Sequence, residues 1–257
     1  MIKSILLNYK TVYATIFVIL CWYLFHVIIQ SNIIPNPFET ILVFFQLLQD
    51  DLLLHVGVSF LRIAVSVLVA VILGGSLGLF LGLHEKYDLY FGPVIYLLYP
   101  LPKIAFLPVF MILFGLGNTS KIALITIIIL FQILVTTRDS VKGLSKELFY
   151  SISSLGANKR QVYQHLVLPA VMPKLLTALR ISVGTSISVL FFAENYATTY
   201  GIGYFIMDSW IRVDYVEMFA GIIAISLLGL LVFKAIDLLE AKLCKWALLE
   251  KGENTNF

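Results

Sequence analysis

The sequence predicts an all-α, polytopic membrane protein with six transmembrane helices, and three observations carry that prediction. Hydrophobic residues make up 60% of the chain and Asp, Glu, Lys and Arg only 13%, where an ordinary soluble domain carries about 25% charged residues. The apolar residues are grouped into long blocks. Thr11 to Gln30 and Ile63 to Leu83 contain no Asp, Glu, Lys or Arg, and each comes near the ~20 residues that a spanning helix needs. Finally, the alternating pattern of outer-membrane strands is missing, so helices rather than a closed barrel must satisfy the backbone polar groups.

The expected spans lie at about 11–30, 56–83, 92–116, 119–137, 179–197 and 218–240, with boundaries good to a few residues. Lys3 and Lys10 precede the first apolar block. That block outruns the roughly 7–15 residues of a signal-peptide core and ends in no small-residue cleavage pattern, so it reads as a span. Cys21 lies in this first span and Cys244 near the far end of the chain. Such a pair offers neither a disulfide framework nor a metal-ligand spacing, and both cysteines read as packing residues.

Orientation follows from the basic residues, which accumulate in cytoplasmic loops. Arg138, Lys142, Lys146, Lys159, Arg160, Lys174 and Arg180 lie between the fourth and fifth spans, whereas Ser31 to His55 holds Glu39, Asp50 and Asp51 and no Lys or Arg. The basic loop is therefore expected in the cytoplasm. With an even span count both termini join it, in agreement with Lys3, Lys10, Lys242, Lys245 and Lys251.

Between the first two spans, Pro35-Asn36-Pro37 opens a segment with Ile41, Phe44, Phe45, Leu48 and Leu52 at helical spacing. It is expected to lie along the external interface as a tether. The second span carries Ser66, Ala70, Gly74, Gly78 and Gly82 at four-residue intervals. A stripe of small residues lets helices approach closely, so it is read as a packing face. Pro100, Pro102 and Pro108 interrupt the third span, and a broken helix at membrane depth is tolerated where protein or a water-filled cavity surrounds it.

Several functions are excluded by what the motifs fail to form. Gly115-Leu116-Gly117-Asn118-Thr119-Ser120-Lys121 misses the spacing of a phosphate-binding loop, and His26, His55, His84 and His165 form no His-Glu-x-x-His. No cluster of nucleophile, metal ligands or acid and base supports an enzyme, and no basic, aromatic-interleaved module suggests nucleic acid.

The most specific local pattern runs from Ser154 to Pro169. Gly156 separates two short helical stretches, Asn158 reads as a surface residue, and Pro169 and Pro173 are expected to stop the second stretch before the next span. From the residues alone this is a helix-turn-helix on the cytoplasmic surface, or a basic connector held near anionic lipid.

With Gly156 followed after nine residues by Leu166-Val167-Leu168-Pro169, the loop resembles the signature of the permease subunits of ATP-binding-cassette (ABC) importers. Ser59-Phe60-Leu61-Arg62, Pro100 to Pro108, Phe114-Gly115-Leu116-Gly117 with Ser120-Lys121, Ala193-Glu194 and Gly201-Ile202-Gly203 extend the resemblance from His55 to Trp246, most closely to the nitrate/sulfonate/taurine type. The resemblance implies a type I ABC importer permease fold: an N-terminal transmembrane helix and external interfacial helix in 1–54, a five-helix permease core in 55–246 with a coupling loop at 138–178, and a cytoplasmic tail in 247–257. It implies that Ser154, Leu155, Gly156, Ala157, Leu166, Leu168 and Pro169 contact a separate ATPase. The partners it implies are a second copy of the permease, two ATP-binding subunits that hold the ATP and Mg, an extracytoplasmic solute-binding protein and membrane lipid, with no cofactor on this chain. One departure stands out: Tyr150-Ser151-Ile152 occupies the place of the family's Glu-Ala-Ala, with Glu147 one turn earlier.

Charges at membrane depth are the candidates for a translocation route. Glu194 follows Arg180 by fourteen residues, roughly 20 Å along a helix. It is a route-lining carboxylate, one half of a buried ion pair, or a helix-end residue. Lys103, beside Pro102 in the broken span, lines the route or snorkels to the interface, and Arg62 reads as an interfacial anchor. Tyr196, Tyr200 and Trp210 beside Gly201 and Gly203 fit an aromatic lining or an aromatic belt. Pro102, Lys103, Glu194 and Tyr200 are the candidate route residues. The expected function is importer permease for a small solute, such as a sulfonate, nitrate, bicarbonate or a pyrimidine-type precursor. The alternative is a self-sufficient secondary transporter or channel, for which the inverted repeats and paired membrane carboxylates are missing.

Overall fold

The computed structural model describes residues 10–246; the basic residues expected at Lys3 and Lys251 and the tail 247–257 lie outside them. Every regular element among the described residues is helical. In chain order these are α1 (Lys10–Ile29), α2 (Pro37–Leu47), α3 (Leu52–Leu83), α4 (Glu85–Leu98), a 3-10 turn (Lys103–Phe106), α5 (Leu107–Phe114), α6 (Asn118–Lys142), α7 (Lys146–Ser154), α8 (Lys159–Val162), a π turn (Tyr163–Val167), α9 (Leu168–Glu194), α10 (Ile202–Ile211) and α11 (Tyr215–Leu243).

The glycine stripe of α3 does what its spacing suggests. A methyl group placed on Gly74 would meet the Leu130 carbonyl oxygen of α6 at 2.7 Å, one on Gly78 the Leu134 carbonyl oxygen at 2.6 Å, and one on Gly82 the Val141 side chain at 2.6 Å. The two backbones approach so closely that no side chain fits between them, which maximises dispersion contact where lipid removes the hydrophobic drive. The rising numbers on both helices show that α3 and α6 run parallel. The chain between them must therefore return across the bundle, and α4 with the 3-10 turn and α5 makes that crossing, bent by 83°. With α1, α3, α6, α9 and α11 this gives six crossings.

The bend sits where prolines were expected to break the helix, and its carbonyls are satisfied by an unexpected donor. Lys103 folds back so that its Nζ donates to the carbonyl oxygens of Tyr99 at 2.7 Å, Leu101 at 3.3 Å and Leu98 at 3.4 Å. It lies 4.9 Å from the Phe131 ring centroid. An ammonium at a helix C-terminus is favourable both to the orphan carbonyls and to the helix dipole. Lys103 is therefore a cap rather than a snorkelling side chain, and Pro102 is exposed at the bend beside it.

Pro169 and Pro173 do not stop a helix. The chain is helical from Lys159 to Glu194, because a π turn precedes Pro169, with the Leu168 N–H donating to the Tyr163 carbonyl oxygen. The wider turn accommodates a residue that lacks an N–H and whose ring crowds the preceding turn. The Thr177 hydroxyl then donates to the Pro173 carbonyl oxygen at 3.0 Å.

The tether α2 is less superficial than expected. Asn36 caps its N-terminus by accepting the Phe38 N–H at 2.9 Å, and Pro37, Thr40 and Phe44 are buried. Helix α1 presents apolar residues all round and touches the body through Trp22, which stacks on Phe219 of α11. Neither cysteine is disulfide-bonded, and Cys244 is buried, as packing residues should be.

Candidate functional site

Two groups of residues stand out, one at each end of the bundle. At the end opposite the basic loop, Arg62 of α3 and Glu194, the last residue of α9, form an ion pair of 2.6 Å with side chains 2% and 0% exposed. Burying two charges is tolerable only when their remaining hydrogen-bonding groups are also met. Arg62 donates through Nε and Nη2 to Asn118 Oδ1 at 2.9 and 2.7 Å, through Nη1 to the Tyr200 carbonyl at 3.0 Å as well as to Glu194, and through Nη2 to the Thr198 hydroxyl at 3.3 Å. Glu194 accepts from the Ser59 hydroxyl at 2.8 Å and from the Gly203 N–H at 2.8 Å. Ser59 in turn accepts the Ile202 N–H at 2.9 Å. The first two amides of α10 thus find their acceptors on α9 and α3, and the carboxylate faces the positive end of the α10 dipole.

The glycines of this region are spacers for that carboxylate. Gly201 has φ +133°, and a side chain there would collide with the Glu194 carboxylate. A methyl group on Gly203 would meet the Phe191 carbonyl oxygen at 2.6 Å. His55 Nδ1 lies 3.0 Å from the Gly201 carbonyl oxygen and 3.1 Å from its amide nitrogen, so either tautomer finds a partner on that residue. Lys121 is wholly buried one turn into α6 and donates to the Leu116 carbonyl oxygen at 3.0 Å. Ser59, Arg62, Asn118, Lys121, Glu194, Gly201 and Gly203 therefore belong to one constellation drawn from four separate stretches of chain.

These positions revise two expectations. Arg62 is a buried partner rather than an interfacial anchor, and of the three readings of Glu194 the geometry is that of the buried ion pair. Tyr200 is half exposed and borders a cavity of about 540 Å³, together with Arg62, Asn118 and Thr198. A lone arginine in the apolar α3 and a lone glutamate ending α9 were the available signals. Pairing them requires knowing that α3 lies against the α9–α10 junction.

At the other end, α7 and α8 form the two short helices expected of the loop. Gly156 stands between them with φ +79°, and nothing lies within 4 Å of where its side chain would be. Leu155, immediately before it, is 83% exposed. Asn158 is on the surface but is not idle. It accepts the Gln161 N–H at 3.0 Å while its own N–H donates to Gln161 Oε1 at 2.9 Å, a reciprocal cap on α8. The Glu147 carboxyl is held below the usual carboxylate range by its own backbone N–H and the Ser145 hydroxyl. Val167 is buried with Val141 and Val171 in a small apolar cluster that also takes in Leu144, Phe149 and Val162, so the loop is fixed to the end of α6. Leu166 and Leu168 are only partly exposed at the root of α9.

A six-crossing helical bundle with a glycine-packed centre, a broken third crossing and a rigid helical loop at one end defines a multi-pass membrane transport permease. The chain belongs to the family described as binding-protein-dependent transport system inner membrane component, whose model matches residues 66–245. It is 33% identical over 192 residues to the taurine transport system permease protein TauC of Escherichia coli K12, covering 75% of this chain and 70% of that protein. It is 30% identical over 220 residues to the formylaminopyrimidine transport permease protein ThiX of Halalkalibacterium halodurans, covering 84% and 87%. The bicarbonate transport system permease protein CmpB of Synechococcus elongatus is 28% identical over 191 residues, covering 74% and 67%. These relatives are permeases rather than enzymes, and the chain is the membrane-spanning permease subunit of an ABC importer.

Proposed function

We propose that the Ser154–Pro169 loop is the seat of the ATPase, and the observation that carries this is Leu155 next to Gly156. A leucine left 83% exposed at the tip of a helix pair packs against nothing among the described residues and suits an apolar groove on another protein. The left-handed backbone of Gly156 makes the tip, and the open space around it leaves room for close approach. Leu155, Gly156, Ser154 and Ala157 form the contact, while Leu166, Leu168 and Pro169 root the loop in α9. ATP and Mg belong to the partner subunits, and this chain binds no cofactor and hydrolyses no ATP.

The route runs between two copies of the chain. Thr177, Thr185 and Ser188 are exposed on one face of α9 at membrane depth. Thr177 lines a cleft of about 440 Å³ together with Gln132 and Thr136 of α6 and with Lys174 and Ile181. The Gln132 amide and the Lys174 ammonium at this cleft suit water or a protein partner better than lipid. Tyr200 and the cavity beside Arg62 form the mouth at the far end, which faces outside and receives the solute from a binding protein. The basic loop and both termini face the cytoplasm. The solute is a small molecule of the taurine, bicarbonate or formylaminopyrimidine kind, identified by what the partner binding protein retains from a mixture of such candidates.

The test is Leu155→Asp and Gly156→Leu in the reconstituted transporter. A left-handed leucine costs about 1–2 kcal/mol in backbone strain, too little to unfold the bundle. Both variants should insert normally yet lose ATPase co-purification, solute-stimulated hydrolysis and uptake together. Normal docking and uptake in both would reduce the loop to a connector.

A further inference from the structure

We propose that Asp88 is a positioning residue through which movement of the basic loop reaches the broken third crossing, with Arg138 and Lys142 as its levers; the inference rests on the coupling role proposed above for that loop. Asp88 lies in the first turn of α4, its side chain 8% exposed. Its carboxylate takes the Arg138 guanidinium in a forked pair, with Nε on Oδ1 and Nη2 on Oδ2 at 2.9 Å, and the Lys142 ammonium on Oδ2 at 2.6 Å. Arg138 also reaches Asp139 at 3.3 Å. Both cations that hold Asp88 come from the last turns of α6.

The rest of α4 is loosely held. Its buried positions are Asp88, Gly92 and Ile95, one narrow stripe at helical spacing. Ile95 packs on Leu81 and Leu134. Gly92 is where the guanidinium crosses the helix: a methyl group there would meet Arg138 Nη2 at 3.0 Å. Leu89, Tyr90, Tyr96 and Leu97 all face outward. The helix is thus joined to the body at its start by the charge cluster and by Tyr87, whose ring lies 5.1 Å from that of Phe80 in α3, and near its end by Ile95, and it ends in the 83° bend.

On the other side of the cluster the connection is short and stiff. Residues 143–145 separate Lys142 from α7, and Val141, packed with Val167, Leu144 and Phe149, locks the end of α6 to the loop. A push on α7 or α8 therefore displaces Arg138 and Lys142 with little slack. A forked arginine pair transmits direction as well as distance because its geometry is planar and fixed. Asp88 then turns α4 about its bend. A merely structural tie would hold α4 in place, whereas this tie lies in series between the loop and the only bent crossing among the described residues.

The experiment uses the complete transporter, with its ATPases and binding protein, in proteoliposomes, comparing Asp88→Asn, Asp88→Glu, Lys142→Gln and the parent. The reading is the ratio of ATP hydrolysed to solute moved, alongside ATPase co-purification. Asp88→Asn should keep the ATPase bound and hydrolysing while the ratio rises by about fivefold or more, the scale of a lost coupling interaction. Lys142→Gln should give a smaller rise, and Asp88→Glu should restore most of the coupling. Should Asp88→Asn fail to assemble, the exposed Lys142 decides, since its loss leaves the forked pair in place. Bound ATPase with an unchanged ratio in the variants that assemble overturns the inference. Loss of ATPase binding in Gly156→Leu but not in Asp88→Asn keeps the loop reading separate from this one.

Discussion

Arg62 and Glu194 stand 132 positions apart in the chain and meet at 2.6 Å in the interior, where Glu194 also receives the Gly203 amide of α10. One carboxylate therefore holds three helices, α3, α9 and α10, and its partner reaches Asn118 at the start of a fourth.

Removing one charge of this pair should damage the fold before it damages transport. Glu194→Gln leaves a buried guanidinium without its counter-charge, a loss of about 3–5 kcal/mol for a buried pair. Thermal unfolding of the detergent-purified protein should show a markedly lower midpoint. An apolar double replacement, Arg62→Met with Glu194→Leu, should be less harmful than the sum of its parts. A Glu194→Gln protein of parental stability that fails only in uptake would return Glu194 to the route.

The α3–α6 contact makes a sharper comparison. Gly78→Ala forces a methyl group to within 2.6 Å of the Leu134 carbonyl oxygen, whereas the same change at Gly57 of α3 meets nothing within 4 Å. Gly57→Ala should be neutral or gain up to about 1 kcal/mol from helix propensity. Gly78→Ala should lose about 1–3 kcal/mol through overpacking. Equal melting midpoints would contradict the close approach.

Asn158→Ala looks innocuous from its exposure but removes the side-chain acceptor of the Gln161 N–H, leaving only the bond from the residue 158 amide to the Gln161 side chain. It should cost about 1 kcal/mol, expressed locally. Hydrogen exchange should rise at the amides of residues 158–162 while the spanning helices stay protected.

Sidedness is tested with an impermeant thiol reagent on intact cells. In a background lacking Cys21 and Cys244, a cysteine at exposed Asn32 should label and one at exposed Gln164 should label only after the membrane is opened. The opposite result would invert the orientation drawn from the basic residues. Asn32 serves better than Asn36, whose side chain caps α2.

How much was legible depends on the range of the interaction concerned. The number of crossings, the glycine seam of α3, the break near Pro100 and Pro102, and the turn at Gly156 are local properties. A spanning helix must satisfy its own backbone, a small-residue stripe is visible at four-residue spacing, and proline and a left-handed glycine act within a turn of themselves. What only the tertiary structure decided were partners and tolerances. It joined Arg62 to Glu194 and Asp88 to Arg138 and Lys142, folded Lys103 back onto the carbonyls of its own bend, and let a π turn carry the helix through Pro169 and Pro173. Each of these depends on which polar groups packing brings together once water is excluded. A charge in the sequence announces that it needs a partner at membrane depth, but its identity is settled by the helices that come to lie beside it.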